Sequence, residues 1–83
     1  MAKMVNNDYQ RLFDLKQKIN LNIASKDERN EYMLLLYNNG SITKQQYDGY
    51  ISNQNADELI KGALTIGGIL LATWLISKLF EKS

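Results

Sequence analysis

GALTIGGILLATWLIS, residues 62–77, holds no charged side chain in sixteen positions. Lys61 and Lys78 bracket the run, and Leu59, Ile60, Leu79 and Phe80 extend its apolar character past both lysines. At about 1.5 Å of helical rise per residue the uncharged run is roughly 24 Å long. A bilayer's hydrocarbon layer is about 30 Å thick. Leu59 to Phe80, twenty-two residues, reaches roughly 33 Å once both lysines snorkel to the headgroups. Trp74 stands near the C-terminal end, where interfacial aromatic residues concentrate. Lys61, Trp74 and Lys78 are therefore the expected membrane-interface residues.

Apolar residues wrap all round this segment instead of forming a stripe. A helix of that kind needs apolar company on every side. The rest of the chain is too small to provide it. Lipid is the expected surrounding. Burial in a self-assembled or virion structure is the second reading, and an ordinary core helix the third. Small residues recur four apart, as Ala63 with Gly67 and Gly68 with Ala72. Such pairs let helices approach closely in lipid, so these four residues are expected to pack one membrane helix against another.

Working back toward the N-terminus, the chain reads as a series of short helices. Asn7 is the expected cap of the first, over residues 7–20, with Tyr9, Leu12, Phe13 and Ile19 near one face. Ile19, Leu21 and Ile23 alternate with Asn20 and Asn22, which predicts an extended link, with a continued helix as second choice. Ser25 and Glu28 have the capping-box spacing that starts a second helix. Asn38, Asn39 and Gly40 end it, Gly40 suiting the left-handed position after a helix. Thr43 and Gln46 form another capping box, with Ile42 and Tyr47 as a hydrophobic staple. Helices two and three make an αα-hairpin over residues 26–53. A polar break over residues 52–55 leads to Asn55, a candidate cap for the apolar helix.

The fold class is thus all-α: a small helical head over residues 1–54, then a C-terminal membrane-inserting helix over residues 55–83. The chain has 83 residues and contains no proline, cysteine or histidine. With no proline, nothing breaks a helix from within. With no cysteine or histidine, neither a disulfide nor a zinc-type staple is expected to support so small a head. Oligomerisation, a partner surface or the membrane must do so.

The same absences argue against an enzyme. No histidine is present for general base work and no cysteine nucleophile exists. Ser25, Ser41 and Thr43 are explained as cap and turn residues. Asp27 with Glu28 and Asp57 with Glu58 read as helix N-terminal charge. No cofactor, metal ion or small-molecule substrate is expected. Residues 1–58 carry seven basic and eight acidic side chains, with no basic stripe of the kind nucleic-acid binders show. No apolar run of seven opens the chain, so no signal peptide is expected. Lys44 and Lys61 before the apolar helix balance Lys78 and Lys82 after it, and the positive-inside rule gives no orientation. A span this near the C-terminus reads as a tail anchor with the head in the cytoplasm. The abundance of Asn, Lys, Ile and Tyr points to a Gram-positive bacterium or one of its phages.

From Glu31 to Ile51 the chain resembles the short C-terminal oligomerisation motif, SHOCT. The matching residues are Leu34, Leu36, Gly40, Ile42, Thr43, Gln46 and Tyr47; here they precede the apolar helix. The resemblance implies a two-helix unit that self-associates or docks on other proteins. Tyr32, Leu36, Ile42, Tyr47, Tyr50 and Ile51 are the residues expected to pack and present the head. The expected function is a tail-anchored, single-pass membrane protein whose head binds a protein partner or copies of itself. The alternative is a phage-encoded membrane-active protein, either a holin-like lysis factor or a minor virion protein.

Overall fold

A computed structural model describes residues 5–52 and 55–81. Lys82 and part of the polar break over residues 52–55 lie outside them. The fold is all-α. Four helices follow one another as α1 (Asn6–Asn20), α2 (Lys26–Asn38), α3 (Lys44–Ile51) and α4 (Ala56–Glu81), the last long and apolar.

α1 starts earlier than its sequence suggests. Its N-cap is Val5, whose side chain has no oxygen to offer, and Asn7 lies inside the helix. The Asp8 N–H turns instead to the Val5 carbonyl at 2.9 Å, and the Asp8 carboxylate accepts from the Val5 N–H at 3.2 Å. The end of the helix also differs from the expected extended link. Ile19 and Asn20 are helical, and Asn22 turns left-handed at φ 61°. Its N–H donates to the Ile19 carbonyl, and the Ile23 N–H to that of Lys18, both at 3.0 Å. This is a Schellman stop with asparagine in the left-handed position, which its short polar side chain tolerates.

α2 begins on a reciprocal box. Ser25 Oγ accepts from the Glu28 N–H at 3.1 Å, and Glu28 Oε1 accepts from the Ser25 N–H at 2.9 Å. It ends at Gly40, with φ 80°. The Gly40 N–H reaches the Tyr37 carbonyl and the Ser41 N–H that of Leu36, both at 2.9 Å. α3 repeats the box between Thr43 and Gln46, at 2.8 and 3.0 Å. Tyr47 stacks on Tyr37 across the hairpin with ring centroids 5.1 Å apart. The turn between α2 and α3 is thus closed by a helix stop, a cap and an aromatic pair.

The core does not stop at the head. Leu12, Leu15, Tyr32, Met33, Leu36, Ile42 and Tyr50 from the first three helices and loops are buried together with Ala63 and Leu71 of α4. Removing a leucine side chain from water is worth about 1.5–3 kcal/mol. This shared cluster is what seats α4 on the head. Two ion pairs fasten α1 to α2. The Arg11 guanidinium grips both oxygens of Glu31 at 2.7 and 2.8 Å, and Lys18 meets Glu28 at 2.5 Å.

Candidate functional site

α4 presents two different faces. One face, built on Ala63, Gly67 and Leu71, is buried against the first three helices. Its centre is held by Tyr32, whose hydroxyl donates to the Ala63 carbonyl at 2.8 Å. Such close approach requires glycine at position 67, because a Cβ there would overlap the Tyr32 hydroxyl. Burial pushes the Tyr32 phenol well above the ordinary tyrosine range, so it stays a hydrogen-bond donor at any physiological pH.

Further along, α1 runs antiparallel to α4. A Cβ at Gly68 would lie 3.5 Å from the Lys16 side-chain stem. Tyr9 stacks on Trp74 with centroids 5.3 Å apart, and the Trp74 indole N–H donates to Asn6 Oδ1 at 3.1 Å. The Lys78 ammonium sits 5.0 Å from the Trp74 ring, within cation–π range. At the other end the seam is shallower. A cleft of about 660 Å³ lies in the surface there, lined by Ile19, Arg29, Tyr50, Ile60 and Leu64, while Leu59, Ile60 and Leu64 still pack against the core.

The opposite face of α4 is turned away from the head. Ile69, Leu75, Ile76 and Leu79 are exposed there, Ile69 at 64% and Leu79 at 72%. From Gly62 to Ser77 this face carries no charge. The two threonines of the helix hide their polarity. Thr65 Oγ1 donates to the Lys61 carbonyl at 3.4 Å and Thr73 Oγ1 to the Ile69 carbonyl at 3.0 Å. Each hydroxyl hydrogen is thereby satisfied within the helix. By length and composition Ala56–Phe80 is able to cross a membrane, and only 22% of its most apolar window is buried.

The residues singled out from the sequence fall into distinct places. Tyr32, Leu36, Ile42 and Tyr50 are core residues, Tyr47 is half-buried in its stack, and Ile51 is exposed at 47%. Of the four small residues, Ala63 and Gly67 face Tyr32 of their own chain, Gly68 lies near Lys16, and Ala72 is exposed. They do not share one surface. Lys61 is exposed, while Trp74 and Lys78 are half-covered by each other and by α1. The Tyr9–Trp74 stack and the Tyr32 contact have no counterpart in the sequence pattern. A buried tyrosine opposite a glycine is visible only once the helices are paired in space.

Among the described residues no group of three or more acidic side chains gathers in a way that suits a metal ion. Charged side chains cluster instead on α1 and α2. Hydrogen bonding to Lys18, and then to the Ser25 backbone, holds the Glu28 carboxyl down at about 2. Its bond to Arg11 likewise lowers Glu31. No family model, no curated protein and no solved structure matches this chain.

Proposed function

We propose that the chain is a single-pass, tail-anchored membrane protein whose helical head sits on the cytoplasmic side and binds a protein partner or copies of itself. The observation that carries this reading is the bare face of α4. It is long, uncharged and bracketed by Lys61 and Lys78, with its threonine hydroxyls turned onto its own backbone. Contiguous apolar surface of this kind on a small protein marks a membrane or protein contact. The lysine brackets and the inward hydroxyls favour lipid. For the head, the exposed Phe13, Leu34 and Ile51 supply apolar contact points.

The test is alkaline carbonate extraction of a tagged full-length chain from cells, beside an Ile69→Arg/Ile76→Arg variant. Both positions are exposed, so the head–α4 seam remains intact. Arginine at Ile69, near the middle of the span, costs about 2.5–3.5 kcal/mol, and the second arginine adds charge toward its C-terminal end. The wild type should stay with the membrane pellet and the variant should be released. Release of both would end the membrane reading. Crosslinking of the extracted wild type then reports whether the head gathers copies or a different protein.

A further inference from the structure

The seated position of α4 and a membrane-spanning one exclude each other. α1 lies against α4 between Gly68 and Trp74, the rungs that acyl chains would surround in a span. α1 brings Arg11, Asp14, Lys16 and Lys18 with it, and its ion pairs bring Glu28 and Glu31 of α2. So many ionised groups cannot lie in hydrocarbon alongside a single helix. α4 has to leave the head before it crosses a bilayer.

We propose that the first three helices are a releasable sheath: they cover one face of α4 in water and surrender it when lipid competes for it. This rests on the membrane reading above and adds the step that precedes insertion. The seam suits such an exchange. α4 is an unbroken helix whose backbone is satisfied internally, the condition for entering lipid whole. The Tyr32 hydroxyl borrows a carbonyl instead of supplying a missing partner, so its departure leaves α4 intact. At the N-terminal end of α4 the seam is shallow: Ile60 and Leu64 are only partly buried against the core and line a solvent-facing cleft.

The natural chain has no cysteine, which permits a direct test. An Asn6→Cys/Trp74→Cys variant is closed across the seam with a short, reducible bismaleimide. It is then mixed with vesicles of phosphatidylcholine and phosphatidylglycerol, with and without prior cleavage of the linker. The cleaved chain is expected to become carbonate-resistant and the closed chain to do so at least ten-fold less. Equal resistance of the two would overturn the sheath. If the cleaved variant and the wild type both wash off, the membrane reading itself fails and takes this one with it. Independently, Tyr32→Phe, which keeps the ring and loses the hydrogen bond, is expected to insert about five-fold faster, the factor that corresponds to a bond worth about 1 kcal/mol. An unchanged or slower rate would count against the proposal.

Discussion

The Tyr32 hydroxyl and the Ala63 carbonyl, thirty-one residues apart in sequence, form a 2.8 Å hydrogen bond that joins the head to the apolar helix. The acceptor is a helical carbonyl, so the bond adds to α4 without interrupting it. Tyr32→Phe should therefore be mild, costing about 0.5–1.5 kcal/mol. Urea unfolding of the purified chain measures it. A loss several times larger would mean that the hydroxyl holds more than this one bond.

Two glycines of α4 give opposite predictions for the same change. A methyl group at position 62 would find no atom within 4 Å, whereas one at position 67 would run into the Tyr32 hydroxyl. Gly62→Ala should stabilise by about 0.5–1 kcal/mol through helix propensity alone. Gly67→Ala gains the same propensity but forces Tyr32 aside, and overpacking of this kind typically costs about 1–3 kcal/mol. Thermal melts followed by circular dichroism should move in opposite directions.

Neighbouring residues on α1 offer a second contrast. Leu12 is fully buried and Phe13 is 41% exposed. Leu12→Ala should cost about 2–5 kcal/mol by opening a cavity. Phe13→Ala should cost distinctly less although it removes the larger side chain. Denaturant midpoints of the two variants check the order.

Acid should loosen the α1–α2 clasp. Folded Glu28 titrates at about 2, below the ordinary value of 4.5, because of its bond to Lys18 and then to the Ser25 backbone. The unfolded chain thus binds this proton more readily than the folded one. The carboxylate's contribution is whole above about pH 4.5 and is lost as pH falls toward 2. Glu28→Gln keeps a side chain able to serve the capping box but removes the charge. The gap between wild type and variant in urea midpoint should narrow from about pH 6 to about pH 2.5. A gap independent of pH would assign the carboxylate no electrostatic part.

What the sequence shows best is what neighbouring residues decide among themselves. The boxes at Ser25–Glu28 and Thr43–Gln46 and the glycine stop at Gly40 are local chemistry, and each lies where its spacing places it. The alternation from Ile19 to Ile23 misleads because Asn22 is able to adopt a left-handed turn, an option that a hydrophobic pattern does not encode. The start of α1 is hidden because Val5 has no capping oxygen. The segment over residues 62–77 announces its apolarity plainly. Its division into a covered face and a bare one does not follow from composition, since nearly every position is apolar. That division depends on which rungs meet Tyr32, Lys16 and Tyr9, and so on tertiary fit.

The two ion pairs between α1 and α2 join residues ten and twenty apart and involve no atom of α4. Everything they need has been synthesised by Glu31, well before the first residue of the apolar helix. These two contacts can therefore form before the greasy helix emerges, while the shared core closes only once Ala63 and Leu71 arrive.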